Sequence, residues 1–186
     1  MKKFLSLLII TFFSLTAMGQ VSIGNFTMFP NKKMMGSAWK PQMGIAKAND
    51  KYYLSICCTA NNTYYSFDAN SVVLIRFSDD SVEKLTLTPN IEVGKNYSNS
   101  YVGSVLVSYY KTFSYYELSD SCLEKIKNKE HMKKVRITYT NGNLNDYDIT
   151  DSYMSKLAEG LYNSYILVES SDAVRKQNMN DVESGF

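Results

Sequence analysis

From Gln42 onward the chain is written mostly in short runs whose apolar side chains recur at every second position, each run stopping at turn-forming residues. Period two puts successive side chains on opposite faces of an extended strand, so such a chain buries its apolar half by forming antiparallel sheet. Met43 to Lys47 and Tyr52 to Cys58 flank a turn at Ala48-Asn49-Asp50. In the second of these strands Tyr52, Leu54, Ile56 and Cys58 share one face, and Tyr53, Ser55 and Cys57 share the other. Val72 to Phe77 and Val82 to Leu87 flank a turn at Ser78-Asp79-Asp80-Ser81, with Val73, Ile75 and Phe77 on one face and Leu85 and Leu87 placed to meet them.

Residues 60–70 and Pro89 to Ser100 are polar and turn-rich, and read as loops. Tyr101 to Tyr110 carries Val102, Val105, Leu106 and Val107 on both faces, which predicts a strand in the middle of the sheet. Thr112 to Glu117 continues it after a turn or bulge. Lys133 to Thr140 alternates with Val135, Ile137 and Tyr139 inward. Asn141-Gly142 accepts positive φ at both positions, which predicts a hairpin returning through Leu144 to Ile149, with Tyr147 and Ile149 on one face.

Two stretches change period. Ser121 and Glu124 have capping-box spacing, with Ser119 or Asp120 as other caps, and Cys122, Leu123 and Ile126 form an apolar stripe. Asp151 or Ser152 opens a last helix through about Val168, along which Met154, Leu157, Ala158, Leu161, Tyr165 and Val168 fall at helical spacing. Gly160 inside it weakens the helix. Strands and helices are segregated, so the predicted fold class is α+β: a mainly antiparallel sheet built from hairpins, with two amphipathic helices on one face.

The ends set the boundaries. Lys2 and Lys3, an apolar run from Phe4 to Met18, and small residues at Ala17 and Gly19 predict a signal peptide over 1–19, cut before Gln20. The lysines stay on the cytoplasmic side while the apolar run enters the membrane, and that run is short for a permanent span. No Cys lies at the cut to take a lipid. Residues 20–41, with Trp39 and several Met, read as an irregular lead-in; 42–168 form one α+β domain; 169–186 read as a frayed polar tail. The expected location is periplasmic or extracellular.

Charge excludes one class of partner. Two of the 20 Lys and Arg residues leave with the leader, so 18 bases face 18 acids in the mature chain. Nucleic-acid affinity comes largely from neutralising phosphates, so no nucleic-acid partner is expected. After the leader no apolar stretch is long enough to span a membrane.

The run Val72-Val-Leu-Ile-Arg-Phe-Ser-Asp-Asp-Ser-Val-Glu-Lys-Leu85 resembles a hairpin that recurs in small exported proteins of Gram-negative anaerobes. Tyr115 to Ile126, then Lys133 to Tyr139 and the Asn-Gly hairpin, is similar to a second block of those proteins. The resemblance covers roughly residues 40–168 as an order of elements. That family has no assigned activity, so the resemblance implies architecture and export, and no catalytic, cofactor or metal residue.

Side chains that could carry chemistry have plainer readings beside them. Cys57, Cys58 and Cys122 are too few for a disulfide framework; either one of the first two pairs with Cys122, or all three are buried thiols. His131, the only histidine, could serve Cys57 or Cys58 as a base, or sit in an exposed connector. Asn141, Asn143, Asn145, Asp146, Asp148 and Asp151 offer oxygens to calcium, but they lack the EF-hand pattern, and a turn and a helix cap account for the first and last. Lys125, Lys127, Lys129, Lys133, Lys134 and Arg136 could meet an anionic glycan or lipid, or be ordinary solvated faces. Tyr64-Tyr65, Tyr109-Tyr110 and Tyr115-Tyr116 place one ring inward and one outward on a strand, and the outward rings could form a platform for a sugar or protein. No catalytic, cofactor or metal site is assigned. The expected role is a non-enzymatic binding domain for a protein or glycan, with an envelope hydrolase using dispersed carboxylates as the alternative.

Overall fold

The computed structural model describes residues 21–28, 41–60, 64–89, 91–142 and 144–184, so the signal peptide, Trp39 and Asn143 lie outside the described residues. Among these residues ten strands are arranged in two antiparallel sheets, of six and four strands, with two helices. The α+β class with antiparallel pairing holds. The single expected sheet is divided in two.

The six-stranded sheet contains β1 (Ser22–Ile23), β2 (Thr27–Met28), β3 (Gln42–Ala48), β4 (Lys51–Ala60), β7 (Gly94–Val102) and β8 (Val105–Glu117), in the order β1-β3-β4-β8-β7, with β2 also on β3. The lead-in therefore supplies two short strands. β3 and β4 join through Asn49 and Asp50, whose φ values of 50° and 60° are what a type I′ hairpin turn requires. The four-stranded sheet runs β10 (Leu144–Asp148), β9 (Met132–Thr138), β5 (Val72–Phe77), β6 (Val82–Thr86). β9 and β10 form the expected hairpin, but a 3-10 turn at Thr140–Gly142 connects them in place of a two-residue turn.

The inner faces of both sheets share one core. Leu54, Ile56 and Cys58 from β4 meet Val73, Ile75 and Phe77 from β5 and Val135 and Ile137 from β9. The sheets are tied at one corner, where Leu87 bridges Tyr116 and the Thr88 N–H donates to the Tyr115 carbonyl at 2.9 Å. The other face of the larger sheet is buried too, around Ala46, Ala48, Tyr53 and Tyr115. Period two marked both faces of β4 correctly, since each has an interior to enter.

Helix α1 (Asp120–Lys127) is capped by Ser119, whose Oγ accepts the Cys122 N–H at 3.0 Å. Ser121, the first residue of the expected capping box, instead donates to Glu83 at 2.8 Å. Cys122 and Ile126 enter the shared core. Helix α2 (Asp151–Ser184) sends Leu157 and Leu161 into the same core. It does not stop near Val168: the expected polar tail is helical to Ser184. Gly160 has a packing reason, because a Cβ there would lie 2.1 Å from Thr27 Oγ1.

Two strand expectations fail together. Pro89 to Ser100 is not all loop, since Gly94–Val102 is β7. Tyr101 to Tyr110 is not one strand, because Gly103 (φ 65°) and Ser104 turn the chain between Val102 and Val105. From there β8 runs unbroken to Glu117, without the expected turn or bulge.

Candidate functional site

β8 is 13 residues long, but β4 pairs with it only as far as Ala60↔Tyr110. Among the described residues, 105–109 are thus paired with β7 alone, and the two strands leave the body as an arm. Val105 and Leu106, expected in the core, are 62% and 52% exposed near its tip.

Register sorts the arm's side chains. Lys95, Tyr97, Asn99 and Tyr101 lie opposite Thr112, Tyr110, Ser108 and Leu106, so these eight share a face. Near the body, Tyr110 stacks edge-on to Tyr64 and tilts against Tyr97, with both ring centroids 5.0 Å away. Lys95 Nζ lies 5.7 Å from the Tyr64 ring. Farther out, the Tyr97 hydroxyl meets Ser108 Oγ at 3.2 Å, and Ser108 donates to Asn99 Oδ1 at 2.9 Å. Tyr101, 72% exposed, ends the row. Chemically this is a row of rings with amide and hydroxyl groups between them, suited to the flat faces and hydroxyls of a sugar or to a peptide.

The tyrosine pairs behave unequally. Tyr110 and Tyr64 join the row, while Tyr65 packs at 5.3 Å on Tyr139. Tyr115 and Tyr116 both are buried, so no outward ring is free there: each face of β8 has its own interior at that point. Tyr97 and Tyr101, exposed rings of the row, stood outside the expected platform: Tyr97 falls in the stretch that reads as loop, and Tyr101 opens the run expected in the middle of the sheet. The signal that marks them is Gly103-Ser104, a hairpin dipeptide following a tyrosine at every fourth position.

A second polar constellation joins α2 to the first hairpin. Lys47 Nζ lies 2.8 Å from Glu169 Oε1 and 3.2 Å from Asp172 Oδ2, and the Tyr52 hydroxyl donates to the same Glu169 oxygen. Burial alone would lower the Lys47 pKa, but Glu169, Tyr52 and Asp172 outweigh it and hold it raised. Burial and Glu169 push the Tyr52 hydroxyl up to about 12. Glu169 is held below its ordinary range, burial being overcome by Lys47 and Tyr52. The two acids are thus spent on one ammonium. Sequence reading missed this cluster, since Lys47 and Tyr52 lie more than a hundred residues from Glu169 and Asp172.

The basic run is mostly paired. Lys125 meets Asp79 at 2.6 Å, Lys127 meets Glu124 at 2.8 Å and Lys133 meets Asp80 at 2.9 Å. Lys129 lies over the Tyr162 ring at 4.4 Å. Asp146 takes both Arg136 and Lys134, which draws two oxygens out of the suspected calcium set. Among the described residues no group of three or more His, Cys, Asp or Glu is placed to hold a metal. Arg76, Lys134 and Arg136 with Leu74 and Val82 line a hollow of about 160 Å³ on the outer face of the smaller sheet.

Cys57, Cys58 and Cys122 are free and buried, so the disulfide alternative falls. Burial pushes Cys57 up to about 11 and Cys58 and Cys122 up to about 12, which keeps them thiols and poor nucleophiles. His131 is exposed and meets Ser155 Oγ at 3.2 Å, so the structure does not bring it together with a thiol.

The chain matches no family model, no curated protein and no solved structure. Among the described residues no helix is long and apolar enough to cross a membrane.

Proposed function

We propose that this is an exported, non-enzymatic interaction domain, akin to the uncharacterised exported proteins it resembles, and that the β7–β8 arm is its contact surface. Residues 1–19 would carry it across the inner membrane, to act in the periplasm or outside the cell on a glycan or a protein. One observation carries the reading: the arm leaves a body that already has two interiors, and exposes Tyr97, Tyr101, Val105 and Leu106 that neither interior needs. Tyr97, Tyr101 and Leu106 share one face and Val105 lies on the other, and exposed apolar side chains gathered in this way mark interaction sites more often than they serve stability. Tyrosine adds contact area at low entropic cost, and Asn99 and Ser108 supply directional hydrogen bonds between the rings.

The hydrolase alternative asks for two carboxyls facing each other across a substrate cleft. Glu169 and Asp172 instead share Lys47. The test is binding of envelope glycans and exported proteins by titration calorimetry, with Tyr97→Ala/Tyr101→Ala as the comparison. Binding lost in that variant with an unchanged fold supports the arm; binding kept in it, or turnover of a glycan that Glu169→Gln abolishes, sinks the reading. An N-terminus beginning at Gln20 in the purified protein tests the export half.

A further inference from the structure

The free edge of β7 carries an unusual symmetry. Residues 97–101 read Tyr-Ser-Asn-Ser-Tyr, the same in both directions about Asn99. Among the described residues β7 is the last strand of its sheet, with β8 on one side and no strand on the other. We propose that a second copy of this chain pairs there, β7 against β7 antiparallel, with the two-fold axis through Asn99. The proposal deepens the arm's reading as a contact surface and rests on it.

Hydrogen-bond parity favours this register. The Gly103-Ser104 turn closes on Val102 and Val105, and the bond of such a turn makes that couple a hydrogen-bonded pair. Alternation then directs the backbone groups of Asn96, Ser98, Ser100 and Val102 toward β8. Those of Lys95, Tyr97, Asn99 and Tyr101 point to the open edge. A two-fold axis at Asn99 sets Asn99 against Asn99 of the copy, and Tyr97 against Tyr101, each as a hydrogen-bonded pair. The side chains match as well as the backbone. Tyr97 and Tyr101 share a face, so each meets a tyrosine across the new ladder, the kind of aromatic cross-strand pair that stabilises sheets. Symmetric contact of one patch with itself is what a closed two-fold dimer needs.

Charge separates this edge from the edges of the smaller sheet. β6 carries Glu83 and Lys84, and β10 carries Asp146 and Asp148, the usual guards against edge-to-edge pairing. β7 has no charged residue and no proline from Asn96 to Val102. Tyr97 and Tyr101 are 48% and 72% exposed on it. An unguarded edge of this length, self-complementary in register, fits another copy better than an unrelated strand.

The test is sedimentation of the purified chain over a concentration series, with charge variants at the axis. Wild type should dimerise reversibly. Asn99→Lys and Asn99→Asp should each weaken the dimer on the order of tenfold, since each puts like charges face to face, and an equimolar mixture should restore it. Asn99→Pro removes the outward N–H, together with the exposed Asn99 Oδ1 that accepts from Ser108, so it should weaken the dimer on the order of 30-fold through the two lost backbone hydrogen bonds while leaving the β7–β8 backbone ladder intact. Circular dichroism and urea midpoints of all three variants should match wild type. A chain that stays monomeric at its solubility limit overturns the proposal, as does a dimer that none of these variants weakens. A monomer whose arm still binds a glycan would overturn the second copy and leave the arm as a contact surface; a monomer that binds nothing would remove both.

Discussion

The backbone N–H of Ile45 donates to Ser164 Oγ at 2.8 Å, so a side chain from the last helix completes a hydrogen bond that a neighbouring strand would otherwise make. β1 and β2 pair with β3 on either side of this point, at Ala46–Lys47 and Gln42–Met43. The gap between these two short strands is closed by Ser164, which is itself fully buried. Ser164→Ala leaves a buried N–H without an acceptor, and should cost about 1–3 kcal/mol of unfolding free energy. Urea denaturation of the two chains checks this.

Gly160→Ala should cost about 1–3 kcal/mol although alanine is the better helix former. The added Cβ would sit 2.1 Å from Thr27 Oγ1 and 2.9 Å from Thr27 Cβ, so α2 must move off β2. Thr27→Gly should recover part of that loss in the double variant, a coupling that urea midpoints would reveal.

Much of the body was legible in the residues, and the arm was not. Val73, Ile75, Phe77, Val135 and Ile137 alternate on strands with an interior on one side, so period two located them. The same rule failed at Val105, because burial there depends on how far β4 extends alongside β8, which no local pattern records. Asn96 to Ser100 looked like loop because Asn and Ser favour turns; the partner strand across the Gly103-Ser104 turn makes them extended. Likewise Glu169 and Asp172 looked like tail residues, and only the fold brings Lys47 to them.

Core and arm should answer mutation differently. Ile75→Ala removes a fully buried side chain and should cost about 2–5 kcal/mol. Val105→Ala, at 62% exposure, should stay within about 0.5 kcal/mol of wild type. Equal losses at both sites would place Val105 in an interior after all.

Stability should fall at both ends of the pH scale through one cluster. Lys47 and Tyr52 hold protons more tightly in the folded chain, so their contribution is full below the ordinary tyrosine value of 10.0 and is lost as pH rises toward about 12. Glu169 has a lowered pKa, so its contribution is present above the ordinary 4.5 and is lost as pH falls through the lowered value. Glu169→Gln should flatten both limbs in urea melts taken across pH. An unchanged alkaline limb would separate Tyr52 from this carboxylate.

The thiols should be silent in the native state. Cys57, Cys58 and Cys122 are at most 2% exposed, so a thiol reagent should react at the rate of unfolding or local opening, with no fast phase. One rapidly labelled cysteine would contradict their burial.

Amide hydrogen exchange along β7 tests the arm and its free edge most directly. Asn96, Ser98 and Ser100 should exchange slowly at every concentration, because β8 holds them. Tyr97, Asn99 and Tyr101 should exchange fast in dilute solution and slow down as concentration rises and the edge fills. If all of residues 95–101 exchange fast together, there is no formed arm; if Tyr97, Asn99 and Tyr101 exchange equally fast at every concentration, the edge is not a contact surface for a second copy.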